Sequence, residues 1–229
     1  MLSICVISDL HGYLPTIEPC ELLLICGDSV PLDYQANSKK TKKWYNTVFR
    51  AWAESLPCDK VLFIAGNHEL HFPGKKIIYE SLFSKDDKIT YLCHSEYLYK
   101  SKDGKEYKIF GTPYCKQFMN WAFMYPDEEL EKIFKNIPND LDILMCHDAP
   151  YGISDIVLQS NCPWYDGKTH LGNIPLREAI LEKKPKIVVH GHLHSSSREF
   201  ESLGSSKVVN CSIVDENYSP VYEPLYLDI

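Results

Sequence analysis

Basic residues are the minority charge: 24 Lys and Arg stand against 31 Asp and Glu, a formal net charge of −7. That balance argues against an extended nucleic-acid track, and the run Lys39-Lys40…Lys42-Lys43 reads as the solvated face of a helix. A small anionic substrate is not excluded, because bound metal ions can supply positive charge locally. No apolar run approaches membrane-spanning length. No basic region precedes the first apolar run, which leads into Asp9 and His11 and so reads as a strand rather than a signal peptide. The nine cysteines are odd in number and contain no Cys-x-x-Cys pair. A disulfide framework is therefore disfavoured, and Cys5, Cys26 and Cys146 inside apolar runs behave as small hydrophobes. The expectation is a cytoplasmic protein with reduced thiols and no membrane partner. Repeats, low-complexity tracts and interdomain linkers are also missing, so residues 1–229 are expected to form one domain.

What is present is a recurring pattern of apolar runs that end in polar groups. Val61–Ala65 stops at Gly66 and hands the chain to Asn67-His68-Glu69. Leu2–Ser8 runs into Asp9-Leu10-His11-Gly12, and Leu22–Cys26 into Gly27-Asp28. Leu141–Cys146 runs into His147-Asp148, and Ile187–His190 into Gly191-His192-Leu193-His194. Continuous apolar, β-branched runs read as strands buried on both faces. Ligands of helix-flanked sheets bind beyond the carboxyl ends of the strands, so these side chains are expected to converge.

Between these runs, Ser38 is expected to cap a helix reaching about Ser55, with Trp44, Val48, Phe49 and Trp52 on its inward face. A short helix is expected over 74–83. Ile89–Cys93, Tyr97–Lys100 and Tyr107–Phe110 read as strands, the last two joined at Asp103-Gly104. Such antiparallel pieces mark a mixed sheet. A helix opens at Pro126-Asp127-Glu128-Glu129, and another spans Ile174–Lys183. Lys207–Ile213 and Tyr222–Leu227 are expected to close the sheet. The stretches Gly111–Pro126 and Ala149–His170 read as long loops beside the site.

Asp9, His11, Asp28, Asn67, His147, His192 and His194 form a mixed oxygen and nitrogen donor set, too large for one metal and suited to two. Carboxylate and imidazole without thiolate suit Mn²⁺, Fe²⁺ or Zn²⁺ and argue against a structural zinc. Two such ions clamp a phosphoryl group and activate a bridging water for in-line attack. A carboxylate is the natural bridge, and Asp28 is the candidate. His68, without a ligand role, is the candidate general acid.

Asp9-x-His11, Gly27-Asp28, Gly66-Asn67-His68-Glu69, His147 and Gly191-His192-x-His194, in this order, resemble the calcineurin-like metallophosphoesterase superfamily. Phe63–Leu70, Gly111-Thr112-Pro113, Asp142–Pro150, Pro185–His194 and Val209–Pro220 resemble its small metallophosphoesterase-domain-containing branch. The resemblance implies an α/β fold, a four-layer α/β/β/α sandwich of two mixed sheets flanked by helices. It also implies that Asp9, His11, Asp28 and His194 hold one metal, and Asp28, Asn67, His147 and His192 the other. The implied activity is phosphodiester hydrolysis with Mn²⁺, cyclic nucleotides included, by a metal-bridging hydroxide. The implied partner is a small phosphate ester, a nucleotide among them, contacted by Asn67, His68 and Asn210. Gly27-Asp28-Ser29-Val30 lacks the Val-Asp-Arg-Gly continuation of serine/threonine protein phosphatases, which lowers the protein-phosphatase reading, while a phosphomonoesterase of the same fold stays an alternative. A non-catalytic nucleotide sensor is the other alternative, and the retained His192/His194 pair counts against it.

His190 reads as a packed histidine beside the site, and His71, His94 and His170 as surface or loop residues. Trp121 and Trp164-Tyr165 are placed to stack a base or to pack their own loops.

Overall fold

The computed structural model describes residues 2–73, 83, 87–163 and 166–229. Strands β1 (Ser3–Ile7), β2 (Cys20–Cys26), β3 (Cys58–Ile64) and β4 (Ile89–Leu92) run parallel in one sheet. A second sheet contains β5 (Ser95–Lys100), β6 (Glu106–Thr112), β9 (Ile143–Cys146), β10 (Ile187–His190), β11 (Glu201–Leu203) and β12 (Ser206–Asn210), in the order β11-β12-β10-β9-β6-β5. Its central strands are parallel, and β11 and β5 are antiparallel edges. The last strand, β13 (Leu225–Asp228), returns to the first sheet and pairs antiparallel with β1. Cys115–Lys116 (β7) and Met124–Tyr125 (β8) form a small ladder of their own.

Strand alternation sorts the side chains into separate layers. Ile4, Val6, Leu22, Leu24, Leu62 and Ile64 face the other sheet and meet Ile109, Ile143, Met145, Val189 and Val209. The opposite face of the first sheet, with Ile7, Ile25 and Phe63, packs under Tyr45, Phe49 and Ala53. The outer face of the second sheet, with Leu144, Val188 and Val208, packs under Leu130, Phe134, Leu176 and Ile180. Helix, sheet, sheet and helix therefore stack in that order, as the resemblance implies.

The first helical region is built from α1 (Ser38–Trp44), a π-helical turn over Tyr45–Phe49, and α2 (Arg50–Ser55). Its cap is Asn37 rather than Ser38, since the Asn37 side chain accepts from the Lys40 N–H at 3.1 Å. The π turn lengthens the repeat and rotates the inward stripe. Trp44, Tyr45, Phe49 and Ala53 are buried, while Val48, expected inside, is 50% exposed. Asn37→Ala is expected to cost about 1 kcal/mol, read as a small drop in the thermal midpoint.

The later helices are α3 (Asp127–Phe134), with acids in its first turn, and α4 (Ile174–Lys183), capped by Asn173 accepting from the Leu176 N–H. The closing strands are shorter than expected. β12 stops at Asn210, and the last strand begins at Leu225 rather than Tyr222. The helix expected over 74–83 lies outside the described residues except for Phe83. Among the described residues, no helix is long and apolar enough to cross a membrane.

Candidate metal centre

The expected ligands follow the carboxyl ends of β1, β2, β3, β9 and β10, which lie next to one another within each sheet. Backbone bonds join the loops across strand ends. The Asp9 N–H donates to Gly27 O at 3.1 Å, His11 N–H to Asp28 O at 2.9 Å, and Gly191 N–H to His147 O at 3.1 Å. Asp9, His11, Asp28 and His192 all hold positive φ, at 58°, 43°, 51° and 70°. Such strain in non-glycine residues persists only where the surroundings fix it, and it concentrates at functional sites. The motif glycines make room for the cluster. A Cβ on Gly66 would strike Asp28 Oδ1 and come within 2.6 Å of His147 Nε2, and one on Gly191 would strike Ser8 and Asp9.

Three overlapping groups of donors gather: Asp9, His11 and His194; His11, Asp28 and His68; and Asp28, His147 and His192, so His68, expected to stand outside the ligand set, lies within reach of it. Asp28 belongs to the last two, with Oδ2 3.2 Å from His147 Nε2 and 4.0 Å from His11 Nε2. Its other oxygen accepts from the His68 N–H at 2.8 Å. Asp9 Oδ1 stands 3.5 Å from His194 Nε2, and both Asp9 oxygens accept from the His192 N–H. His147 donates from Nδ1 to Cys26 O at 2.7 Å, and His194 from Nδ1 to Asp215 O at 3.0 Å. Each bond leaves Nε2 turned inward, the arrangement that metal-binding histidines use.

This donor set fits a dinuclear divalent-metal centre. Both ring nitrogens of His11 are buried and lack a hydrogen-bond partner. His147 Nε2 faces oxygen on two sides, Asn67 Oδ1 at 3.0 Å and Asp28 Oδ2 at 3.2 Å, so a cation or a proton is required there. Electrostatics agree. Burial holds His11 near 3, with Asp28 only partly offsetting it, so the ring is neutral and able to coordinate. Burial also lowers His192 and His68. For His147, burial acts against the charged form, but the Asp28 carboxylate overrides it and raises the ring to about 10. Burial opposes ionisation of Asp9 and Asp28 as well, and the facing histidines outweigh it and hold both carboxyls below their usual range.

His68 is 6% exposed at the rim of the cluster, with Nε2 3.9 Å from Asp28 Oδ2. Its Nδ1 makes a short hydrogen bond to Gln35 Oε1, a partner that nothing in the local sequence marked. Glu69, also without an expected role, ties several loops together. Its carboxylate accepts from the N–H groups of Gly66, Asp28 and Val30 and from the Tyr45 hydroxyl. Tyr218, from the loop before β13, sets its ring 4.7 Å from that of His11 and 5.3 Å from that of His194. Asp148 accepts from the Lys116 N–H at 2.7 Å and from Asn173 Nδ2 at 2.9 Å, joining two loops at the edge of the site.

The remaining expectations divide. Asn210 is fully buried, and its amide donates to Leu193 O and Ser196 Oγ, so it braces the loop that carries His192 and His194. It is absent from the cleft lining. His190 stays packed in β10 with Nε2 unpartnered. His170 pairs with buried Asp155 at 2.6 Å. His94 pairs with Thr112 Oγ1. Trp121 lies over His68, ring centroids 4.6 Å apart, whereas Trp164 and Tyr165 lie outside the described residues.

A layered α/β/β/α sandwich with His, Asp and Asn donors gathered at its strand ends defines a metal-binding hydrolase. The model of the calcineurin-like phosphoesterase family matches residues 2–196, and the chain belongs to that family. It is 29% identical to human metallophosphoesterase domain-containing protein 1 over 99% of this chain and 70% of that one. It is 26% identical to the Caenorhabditis elegans UPF0046 protein C25E10.12 over 97% of this chain and 77% of that one. Among solved structures, TT1561 of Thermus thermophilus superposes with a TM-score of 0.61 at 17% identity, covering 91% and 88% of the two chains. The phosphopantetheinyl hydrolase PptH of Mycobacterium tuberculosis gives 0.57 at 12% identity, covering 94% and 90%. These last two likenesses concern the fold alone.

Proposed function

We propose that this chain is a dinuclear metal-dependent phosphodiesterase acting on small phosphodiesters, cyclic nucleotides among them. The observation that carries the reading is Asp28, which belongs to two donor groups, one with His147 and His192 and one with His11 and His68, while Asp9 and His194 gather around the same His11. Asp9, His11, Asp28 and His194 would hold one ion, and Asp28, Asn67, His147 and His192 the other. Donors of this kind without thiolate suit Mn²⁺, with Fe²⁺ or Zn²⁺ as alternatives. Bound, the two ions polarise the phosphoryl oxygens and activate a water as nucleophile.

The chain's own residues do the rest. Asp28 and Asp9 carry the negative charge that retains the ions. Cys26 O and Asp215 O fix the tautomers of His147 and His194. With Nδ1–H tied to Gln35 Oε1, His68 turns Nε2 toward the shared carboxylate, and as the imidazolium, which burial disfavours and Asp28 favours, it would hand a proton to the departing oxygen. Gln35→Ala frees that ring, and kcat is expected to fall about tenfold with KM little changed, read from steady-state kinetics. An unchanged kcat would remove Gln35 from the account.

A monoester dianion carries more charge than a diester, and the scarcity of cationic side chains in the cleft supports the diester reading. Among the described residues, Lys116 is the one cationic side chain lining the cleft, beside Asp148, Asp166 and Glu216. The test compares bis(p-nitrophenyl) phosphate with p-nitrophenyl phosphate in Mn²⁺. Faster turnover of the diester is expected, and a preference for the monoester would replace this reading with a phosphatase. A cytoplasmic, reducing setting is supported by the nine free cysteines.

A further inference from the structure

The cleft beside the metal centre encloses about 740 Å³, far more than a phosphate needs. Its floor is Asp28, Asn67, His68, His192 and His194. Beyond that floor the wall becomes apolar, with Phe118, Met119, Trp121, Met124, Leu171 and Tyr218.

Two aromatic rings bracket the reacting end. Trp121 lies tilted over His68, at 4.6 Å and 32°, and its loop is set there by the Ala122 N–H donating to Asn67 O at 3.1 Å. Tyr218 stands edge-on to His11 and 6.0 Å from His68. The wall loop is braced by the β7–β8 ladder and by the Phe118 N–H donating to Met124 Sδ at 3.3 Å. Met119, Phe123 and Tyr218 all hold positive φ, so this wall is fixed at a cost in backbone strain. Phe118, Met119 and Tyr218 are 46%, 62% and 40% exposed at its mouth. A patch of this kind continuous with a polar reaction centre is the usual form of a ligand site.

Charge narrows the occupant. The acids on the wall are already engaged: Asp166 accepts from Lys168 and Thr169, and Glu216 from Ser195. Lys116 directs its ammonium to Gly172 O at 3.4 Å. A second anionic group on the substrate would meet acids and little positive charge.

We infer that the cleft between Trp121 and Tyr218 binds an uncharged, flat aromatic ester group of the substrate, with Trp121 and Met119 as specificity-determining residues. This rests on the phosphodiesterase reading, because the scissile group must sit at the metal centre for the ester arm to reach the slot. Aromatic faces stack in offset or tilted pairs, and thioethers pack well against ring edges, so phenyl should be held better than a saturated ring of similar size.

The test uses the Mn²⁺-loaded full chain and a series of methylphosphonate monoesters, each a single anion at the phosphonate that differs only in its ester group. Phenyl, cyclohexyl, 4-carboxyphenyl and methyl esters are titrated by calorimetry and as competitive inhibitors of bis(p-nitrophenyl) phosphate hydrolysis. The phenyl ester should bind about tenfold tighter than the methyl ester, with cyclohexyl between them. The 4-carboxyphenyl ester should bind no better than methyl. Trp121→Ala should collapse the phenyl-to-methyl ratio to about unity, whatever its effect on absolute affinity. Met119→Lys, on the exposed rim, should lower the phenyl ratio and raise the 4-carboxyphenyl one, and it serves if the Trp121 variant does not fold. Equal binding of all esters, or ratios unmoved by both variants, would overturn the aromatic slot while leaving the metal centre standing. No phosphonate binding together with no diester turnover would instead overturn the phosphodiesterase reading and the slot with it.

Discussion

Asp28→Asn is expected to lower diester turnover by more than about 100-fold, the upper end for partners that only orient a metal ligand. The amide keeps the side chain's volume and can still accept from the His68 N–H, so the loop geometry survives. What disappears is the negative charge between His147 and His11, where one oxygen lies 3.2 Å and 4.0 Å from their ring nitrogens. Without that carboxylate the group of His147 and His192 and the group of His11 and His68 have no common member. Elemental analysis should show metal falling from two ions per chain toward one. Two ions retained with kcat within about threefold of wild type would show that Asp28 is not the bridge.

Glu69→Ala is expected to have the largest effect on stability. The side chain is fully buried and accepts from Gly66, Asp28, Val30 and the Tyr45 hydroxyl at 2.6, 3.0, 2.9 and 2.8 Å. Burial and the nearby Asp28 push its carboxyl up to about 7, while these donors favour the charged form. Truncation leaves three buried backbone N–H groups without their acceptor and removes an acceptor from the Tyr45 hydroxyl. The cost is about 3–5 kcal/mol, a fall in thermal midpoint of about 6–20 °C in the metal-free protein. Glu69→Gln keeps an acceptor and should lose less. A shift within about 2 °C for the alanine variant would mean that water or relaxation satisfies those donors.

The legible part of the site has a physical cause. Strands buried on both faces appear as unbroken apolar runs, so the polar residues at their ends stand out. Asp9, Asp28, Asn67, His147 and His192 are of this kind, and all meet in the structure. Layer order was not readable from periodicity, because Ile4 and Cys5 are equally apolar while facing different layers. Partners drawn from distant loops were equally hidden. Gln35 reaches His68 across 33 positions, and Tyr218 reaches His11 from a loop joined to the end of β1 by the Ser8–Ser212 bridge and the Ile213 N–H donating to Ser8 O. Glu69 was visible as a residue, but its role depends on a π turn that brings Tyr45 inward, where regular helical spacing placed Val48.

The most direct test of the metal-dependent phosphodiesterase is a single cycle of chelation and reconstitution on wild-type protein. Metal content and bis(p-nitrophenyl) phosphate hydrolysis are followed together. Turnover should vanish with the chelated metal and return with Mn²⁺, rising to a plateau at two ions per chain. Turnover that persists in metal-free protein, or a fully loaded chain that hydrolyses no diester, would contradict the proposed activity.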